Sequence, residues 1–193
     1  MIYCLIFWAE ERNPFLNFGV VEEGKIYRSA LPRAGDLKLL KEKYGINTVI
    51  SLKGKEEDSL KELMKELGIN LVGIQFSTRR PPKIEELKLL GKIFNQEPIN
   101  YSGQKPLLID WLGEKDNSSL KPPFLIHCQM GADRTGYLVA VYRICFQDWE
   151  VEKARREMLR YFHFPARYPK LWESLNQLEP KEFCPKINSQ YQG

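Results

Sequence analysis

Apolar and polar segments alternate along most of the chain. Two continuous apolar runs rich in β-branched residues, "INTVISL" and "INLVGIQF", predict strands that are buried on both faces. Segments with apolar residues at helical spacing, "DLKLLKEKYG" and "EEDSLKELMKELG", each end at a glycine and predict helices. The segment "FGVVEEGKIYRSA" predicts a hairpin that turns at Glu22-Glu23-Gly24.

The second half of the chain continues this alternation after a weaker stretch. Pro81 and Pro82 open the predicted helix "KIEELKLLGKIF". Residues 95–121 carry a weak pattern, which predicts a long insertion with one or two helical turns. "PFLIH" predicts a third buried strand, and three helices follow: "TGYLVAVYRICF", "DWEVEKARREMLRYF" with Asp148 as its N-cap, and "PKLWESLNQL". Strands alternating with helices predict one α/β domain with a central parallel-rich sheet flanked by helices.

Composition and charge narrow the class of protein. The chain has 193 residues, a formal charge of +4 and 28% charged residues, which is ordinary for a globular domain and mildly favourable for anionic substrates. Val151, Ala154, Met158, Leu159 and Phe162 are predicted to form the buried face of an amphipathic helix. The basic residues of segment 153–160 are then its solvated side, so no nucleic-acid partner is expected. The N-terminal run "MIYCLIFWAEERN" is too short to span a bilayer. It predicts an apolar end packed on the domain, and the remnant of an export segment is the alternative.

The cysteines show no metal-binding pattern. None forms a C-x-x-C pair or has metal-like spacing with the histidines, His127 and His163. The sequence therefore predicts no metal site, and it predicts thiols in a reducing, cytoplasmic compartment. The four cysteines are Cys4, Cys128, Cys145 and Cys184.

A short glycine-containing loop lies between the strand "PFLIH" and the next predicted helix. A loop that follows a buried strand and opens a helix turns several backbone N–H groups toward one point, and the helix dipole strengthens this anion site. Cys128 lies at the base of the loop, where the same field favours thiolate over thiol. Gly131 can adopt a positive φ that lets the backbone wrap an anion. Arg134 offers a planar fork for two phosphate oxygens.

These residues predict phosphoryl-transfer chemistry. A thiolate beneath a bound phosphate is placed for in-line attack on phosphorus, and water then hydrolyses the cysteinyl-phosphate. Arg134 and the amides stabilise the equatorial oxygens, so the predicted reaction needs neither a metal nor a cofactor. Thr135 can donate its hydroxyl to the thiolate, and His127 is expected to brace the loop. The predicted phosphate-binding residues are Gln129, Met130, Gly131, Ala132, Asp133, Arg134 and Thr135.

Residues 127–136, "HCQMGADRTG", resemble the H-C-x-x-G-x-x-R-[ST]-G signature of the protein tyrosine phosphatase superfamily. Residues 17–32, "NFGVVEEGKIYRSALP", are similar to the opening of bacterial and lower-eukaryotic dual-specificity-type phosphatases. "DWEVEKARREM" is similar to the helix after the active site in the bacterial members. The resemblance implies a cysteine phosphatase domain of dual-specificity type over residues 17–178, with residues 1–16 an N-terminal extension and residues 179–193 a polar tail.

The resemblance also raises the question of the general acid. Relatives usually carry an aspartate on the loop after the strand that matches "INLVGIQF", but here residues 77–82 read "STRRPP" and contain no acid. Asp133 is the candidate acid, because some related families have had this role assigned to an aspartate at this loop position. The alternative is that Asp133 hydrogen-bonds loop amides or pairs with a neighbouring base. Glu85 and Asp110 are the weaker candidates.

Basic residues outside the loop are candidates for substrate recognition. Arg79 and Arg80 are expected either to bind a second anionic group or to be solvated loop residues. Lys53 and Lys55 follow "INTVISL" at its carboxyl end, the edge where α/β sheets bind ligands, so they are candidates to line the cleft. His163, which lies among aromatic residues, is expected to be packed and hydrogen-bonded.

The combined reading is a monomeric cysteine phosphatase that acts on phosphotyrosine, and also phosphoserine or phosphothreonine, in proteins or on small phosphoesters. One alternative is a phosphatase of phosphoinositides or inositol polyphosphates. Enzymes for such polyanions often carry lysines inside the loop, and this loop has none. A second alternative is a non-catalytic phosphate-binding module. A third, a rhodanese-like sulfur carrier, is disfavoured by the flanking residues His127 and Thr135-Gly136.

Overall fold

The computed structural model describes residues 17–75, 77–97, 108–112, 120–178 and 184, with the backbone alone for residues 85 and 108–112. The predicted extension 1–16, and the predicted tail 179–193 apart from Cys184, lie outside the described residues. The strands are β1 (Gly19–Glu22), β2 (Ile26–Ser29), β3 (Thr48–Ser51), β4 (Asn70–Ile74), β5 (Leu108–Leu112) and β6 (Phe124–His127). The helices are α1 (Ala34–Tyr44), α2 (Asp58–Glu66), α3 (Ile84–Phe94), α4 (Asp133–Phe146), α5 (Val151–Arg160) and α6 (Pro169–Ser174), and a 3₁₀ turn (Leu175–Leu178) follows α6.

The strands form one six-stranded sheet in the order β1-β2-β6-β3-β4-β5. The four central strands run parallel to one another, whereas the edge strands β1 and β5 pair antiparallel with their neighbours. The predicted α/β fold with a parallel-rich sheet is therefore confirmed. Because the central strands are parallel, their carboxyl ends share one edge of the sheet, where α/β proteins bind ligands.

Helices cover both faces of the sheet, which explains the continuous apolar character of the central strands. One face packs against α1 and α2 through a cluster that includes Leu37, Leu40 and Met64. The other face packs against α3, α4, α5 and α6. The helix α4 is buried from Thr135 to Ile144, since it lies between the sheet and its neighbouring helices. Of the helices in the described part of the chain, none combines the length and apolar character that crossing a membrane requires.

Three local predictions were wrong. The weak segment 95–121 contains the edge strand β5, which pairs with β4 over Leu71–Ile74 and Leu108–Leu112, rather than only helical turns. Asp148 does not cap α5: its φ is +58°, and the N-cap position is occupied by Glu150. Leu159 and Phe162, predicted on the buried face, are 47% and 66% exposed.

Two of the predicted thiols are joined as a disulfide. Cys145, in the last turn of α4, is bonded to Cys184, and 39 positions separate them in sequence. Cys128 is a free, buried thiol. The expectation that the cysteines are all thiols is therefore wrong for Cys145 and Cys184, because the fold brings Cys184 to the end of α4.

Cys145→Ser is expected to lower the free energy of unfolding by about 2–4 kcal/mol, because a cross-link over a loop of this length restricts the unfolded chain. Urea denaturation of the wild type and the variant under non-reducing conditions measures the difference. Cys128→Ser serves as the matched control, since it removes a buried thiol that makes no cross-link. Equal stability of the wild type and Cys145→Ser, or a non-reducing peptide map that leaves Cys145 and Cys184 unlinked, contradicts the prediction.

Candidate active site

The loop that carries Cys128 leaves the middle of the sheet at the edge where ligands bind. The strand β6 lies between β2 and β3, and its last residue, His127, is in register with Ser29 on one side and Ser51 on the other. The backbone N–H of Leu52 donates to the His127 carbonyl at 2.8 Å, so pairing continues up to the start of the loop. Cys128 is therefore positioned by three parallel strands.

The loop conformation is set by groups outside the loop. Gly131 has φ +65°, and a Cβ there would lie 2.6 Å from backbone atoms of Ser29 and Ala30, so glycine is required. Three successive loop carbonyls accept hydrogen bonds: Gln129 from the Leu31 N–H at 3.3 Å, Met130 from Asn17 Nδ2 at 2.7 Å, and Gly131 from Arg28 Nη2 at 2.6 Å. In a trans peptide the C=O and N–H point in opposite directions, so the amides of residues 130–132 face away from these donors. Such an arrangement of amides is suited to anion binding.

Cys128 and Arg134 line the same cavity, which has a volume of about 620 Å³. The loop after β4, Glu86 on α3 and Tyr168 also line this cavity. Gln129, Met130 and Asp133 also line the cavity, whereas Ala132 and Thr135 are buried and do not line it. The predicted nucleophile and the predicted phosphate ligand therefore face the same space.

Arg134 and Thr135 occupy the first turn of α4. The Nη1 atom of Arg134 donates to the Leu52 carbonyl at 2.9 Å, so the end of β3 orients the guanidinium. The Thr135 hydroxyl is buried and has no hydrogen-bond partner among the residues that the structure describes. A buried hydroxyl normally has a partner, so this group is suited to donate to a thiolate or a bound phosphate.

His127 is buried at the end of β6, where its ring contacts the backbone of Cys128 and the carboxylate of Glu56. Its side chain is fully buried, with Nδ1 3.3 Å from the Cys128 carbonyl and Nε2 3.7 Å from the buried carboxylate of Glu56. Burial lowers the pKa of His127 to about 4, so the ring is neutral at neutral pH. Glu56 in turn accepts a hydrogen bond from the Ser51 hydroxyl at 2.5 Å and pairs with Lys53 at 3.3 Å. The role predicted for His127 fits this geometry.

Asp133 is paired with His163. Its Oδ1 atom lies 2.8 Å from His163 Nδ1, and the imidazole is fully buried and stacked on Trp172. The Asp133 side chain is 21% exposed and reaches the cavity. His163 is packed and hydrogen-bonded as expected, and the predicted alternative for Asp133, pairing with a base, is present in the structure. Glu85 and Asp110, the weaker acid candidates, lie outside the described side chains.

Basic side chains extend away from the cysteine. Arg79 and Arg80 both line the cavity, as one of the two sequence interpretations required. Both arginines are exposed, and Arg80 is paired with Glu86 at 2.7 Å. A second cavity of about 270 Å³ shares Thr78, Arg79 and Tyr168 with the first, and it adds Arg167 and Lys170. Cationic side chains therefore line both adjoining cavities: Arg79 and Arg134 line the first, and Arg79, Arg167 and Lys170 line the second.

Lys53 and Lys55 do not line the cavity that holds Cys128. Lys53 pairs with Glu56 and lines a different cavity of about 640 Å³, which lies on the other side of Gln129 and Met130. Lys55 is exposed. The prediction that these lysines line the cleft with Cys128 is wrong, because the buried carboxylate of Glu56 holds Lys53 against the end of β3.

The sequence interpretation missed two buried charged side chains near the loop. Arg28 lies in β2, is fully buried, and contacts the Gly131 carbonyl. Glu56 lies 2% exposed beneath the start of the loop. The available signal for Arg28 was a charged residue within the predicted hairpin strand "KIYRSA". No group of three or more His, Cys, Asp or Glu side chains suited to hold a metal occurs in the described ranges.

Comparison with known sequences places this geometry in context. A family model described as the tyrosine phosphatase family matches residues 13–171. The dual specificity protein phosphatase TpbA of Pseudomonas aeruginosa (strain UCBPP-PA14) is 28% identical over 153 residues, which cover 79% of this chain and 58% of TpbA. The inositol diphosphatase DSP2 of Arabidopsis thaliana is 30% identical over 172 residues, which cover 80% of this chain and 65% of DSP2. The chain therefore spans about three fifths of the length of these relatives.

Solved structures share the fold. The crystal structure of P. aeruginosa TpbA has a TM-score of 0.65 at 19% identity and covers 93% of this chain and 94% of its own. The core catalytic domain of the PP-IP phosphatase SIW14 from S. cerevisiae, in complex with citrate, has a TM-score of 0.65 at 23% identity, with 89% and 90% covered. A cysteine-to-serine variant of TpbA in complex with pTyr also has a TM-score of 0.65 at 19% identity, with 94% and 99% covered.

Proposed function

Because the chain belongs to the tyrosine phosphatase family, we propose that it is a cysteine-dependent phosphatase that hydrolyses phosphomonoesters. The observation that carries the proposal is that Cys128 and Arg134 line the same cavity. The carbonyls of Met130 and Gly131 in the loop accept hydrogen bonds from Asn17 and Arg28, so the amides that follow them point away from these donors. A phosphate in that cavity would meet a nucleophile and a guanidinium at once. These are the groups that in-line phosphoryl transfer requires.

The proposed reaction has two steps. The Cys128 thiolate attacks phosphorus, a sulfur–phosphorus bond forms, and the bond from phosphorus to the ester oxygen breaks as that oxygen takes up a proton. Water then attacks the cysteinyl-phosphate, which releases orthophosphate and returns the thiolate. Arg134, oriented by the Leu52 carbonyl, and the loop amides neutralise the charge on the equatorial oxygens in both steps.

Phosphotyrosine, and also phosphoserine or phosphothreonine, in proteins or in small phosphoesters is the proposed substrate class. The cavity of about 620 Å³ is large enough for an aromatic phosphoester. A TpbA variant in complex with pTyr has the same fold as this chain. We propose that the phosphatase acts as a monomer, since Cys128, Arg134 and Asp133 all come from one chain.

Inositol phosphates are the second candidate class. The observation in their favour is the cationic surface beyond the loop, where Arg79, Arg167 and Lys170 line the adjoining cavity of about 270 Å³. Additional phosphate groups of a polyanion would find partners there. The relative DSP2 is named an inositol diphosphatase, and the similar SIW14 domain a PP-IP phosphatase. The loop itself adds no lysine, which favours the first class.

A phosphate-release assay decides between these classes. The assay measures kcat/KM for four kinds of substrate: phosphotyrosine peptides, phosphothreonine peptides, phosphoinositides and inositol polyphosphates. The protein-phosphatase proposal expects the highest value for phosphotyrosine peptides. The highest value for an inositol polyphosphate selects the second candidate. If the folded chain binds phosphopeptide but releases no phosphate, it is a non-catalytic module.

Asp133 is the proposed general acid. It lines the cavity next to Arg134, and His163 holds one of its oxygens at 2.8 Å. The other acid among the described cavity side chains, Glu86, is paired with Arg80. An alkoxide leaving group needs a proton, whereas an acidic phenol departs without much help, so the role of Asp133 is visible in the dependence on the leaving group.

Asp133→Asn is expected to lower the rate on phosphothreonine peptides by at least about a hundredfold, and the rate on p-nitrophenyl phosphate by only about threefold or less. The basic limb of the pH–rate profile should also flatten. His163→Phe is the matched control, because it removes the partner of Asp133 and keeps a ring over Trp172. An equal loss on both substrates with Asp133→Asn would assign Asp133 to loop structure and direct the search to Glu85 and Asp110.

The Cys145–Cys184 disulfide bears on the location of the protein. The predicted cytoplasmic location depended on thiols throughout, and that ground does not hold for this pair. Disulfides persist in oxidising compartments, so we infer that the export alternative is the better one. Fractionation of cells that produce the protein, with detection of the disulfide in each fraction, tests this inference, and a purely cytoplasmic, reduced protein contradicts it.

A further inference from the structure

Arg28 is a buried cation beneath the loop of Cys128. It lies in β2, in register with Ile126 of the strand that leads into the loop, and its side chain is fully buried. The Nη2 atom donates to the Gly131 carbonyl at 2.6 Å. The guanidinium also lies over the ring of Tyr161, with 3.7 Å from Cζ to the ring centroid. Arg28 thus joins the innermost part of the loop to the sheet and to α5.

No carboxylate pairs directly with this charge in the described part of the chain. The Nε and Nη1 atoms of Arg28 have no hydrogen-bond partner among the described residues. Burial lowers the pKa of Arg28 to about 10, so the guanidinium remains charged at neutral pH. A buried charge with so few partners is costly unless another charge compensates it.

The groups that face Arg28 identify the compensating anion. They are Glu157 from α5, Tyr161 directly after α5, Arg143 from α4, and Cys128 from the loop. Glu157 is held by Arg143, with its two oxygens 2.8 and 2.9 Å from the guanidinium nitrogens. Arg28 holds the Gly131 carbonyl of the loop that begins with Cys128, so the thiolate of Cys128 is the anion that this buried charge is placed to compensate. The charged groups on the cavity side of Cys128 are Arg79, Arg80, Glu86, Asp133 and Arg134.

The contact with Gly131 also orients the loop. The Gly131 carbonyl and the Ala132 N–H belong to one trans peptide, so they point in opposite directions. When Arg28 holds the carbonyl, the Ala132 N–H must face away from Arg28. The tight approach of Gly131 to the Ser29 and Ala30 backbone, at the end of the strand that carries Arg28, keeps this contact in place.

We propose that Arg28 is a positioning residue of the phosphatase site, which stabilises the Cys128 thiolate from inside the protein and orients the loop amides toward the bound phosphate. This inference rests on the proposed function. It separates two contributions of Arg28, a buried positive charge that acts on the thiolate and a hydrogen bond that acts on the loop. Two substitutions distinguish them.

Arg28→Gln removes the charge and keeps an N–H donor, whereas Arg28→Lys keeps the charge and loses the planar fork. The first readout is the rate at which iodoacetamide alkylates Cys128 as a function of pH, followed by mass spectrometry of the Cys128 peptide. This readout does not depend on phosphatase activity. Arg28→Gln is expected to move the half-maximal pH of alkylation upward by about one unit, and Arg28→Lys by less than about 0.3 units. Vanadate inhibition should weaken about tenfold in Arg28→Gln.

Arg155→Gln is the matched control. Arg155 is also a buried arginine over an aromatic ring, but it is ion-paired with Glu152 and donates to the Trp172 carbonyl. Its variant should lose stability and keep the wild-type pH dependence of alkylation. A folded Arg28→Gln with wild-type alkylation and vanadate inhibition overturns the proposal.

If Arg28→Gln does not fold, Arg28→Lys decides alone. It is expected to keep the wild-type pH dependence of alkylation and to lose about tenfold in kcat, because the Gly131 carbonyl is less firmly held. Wild-type kcat and KM in this variant would overturn the positioning role. Failure of the proposed function is recognised separately, because a wild-type chain without phosphatase activity still reports the alkylation profile.

Discussion

Cys128→Ser is expected to reduce hydrolysis of p-nitrophenyl phosphate at least about a thousandfold, which corresponds to about 4 kcal/mol in the activation barrier. Serine differs from cysteine by one atom, but its hydroxyl is a far weaker nucleophile at neutral pH. The loop amides and Arg134 are unchanged, so the variant should still bind orthophosphate or vanadate. Steady-state kinetics and isothermal titration calorimetry measure the two effects.

The control for this prediction is a substitution of Cys145, which lies in α4 outside the cavity. Cys145→Ser removes the disulfide and leaves the cavity untouched, so it should retain activity at a temperature where it is folded. Unchanged hydrolysis by Cys128→Ser would end the proposed mechanism. Loss of wild-type activity after treatment with EDTA would point to a metal-dependent phosphatase instead.

Arg134→Lys is expected to be nearly as damaging as Arg134→Ala, with kcat/KM lowered by roughly a hundredfold or more in both, or about 3 kcal/mol. The guanidinium of Arg134 is planar and can bind two phosphate oxygens at once. Its orientation is fixed because Nη1 donates to the Leu52 carbonyl at 2.9 Å. A lysine offers a point charge without the fixed fork, so it cannot hold two phosphate oxygens in one geometry.

The measurement for Arg134 is kcat/KM on p-nitrophenyl phosphate for both variants, with thermal unfolding to establish that each is folded. Arg155→Lys provides the comparison at a buried arginine outside the cavity, and its kcat/KM should stay close to that of the wild type. A rate within a few-fold of wild type for Arg134→Lys would show that Arg134 contributes overall charge alone.

The elements that the sequence predicted well are those with strong local signals. The segment "DLKLLKEKYG" forms α1 and ends at Gly45 with φ +65°, because a glycine accepts the left-handed conformation that ends a helix. The apolar runs "INTVISL" and "INLVGIQF" form β3 and β4 in the middle of the sheet, since only strands covered on both faces carry such runs.

The elements that the sequence did not predict depend on distant partners. The strand β5 lies in a segment with little pattern of its own, and it forms by pairing antiparallel with β4 at the edge of the sheet. Asp148 has the residue type of a helix cap, but its φ of +58° does not fit the extended backbone that capping requires. Lys53 follows a strand at the expected edge, and the carboxylate of Glu56 then holds it in the neighbouring cavity.

The sequence by itself determined the chemistry of the loop, because Cys128, Gly131 and Arg134 lie on one short strand–loop–helix segment whose geometry is local. Only the tertiary structure decided what surrounds that loop. Arg28 meets Gly131 across 103 positions, His163 meets Asp133 across 30, and Cys145 is joined to Cys184 across 39. Such contacts depend on how whole strands and helices pack, and no local pattern encodes the meeting of two residues so far apart in the chain.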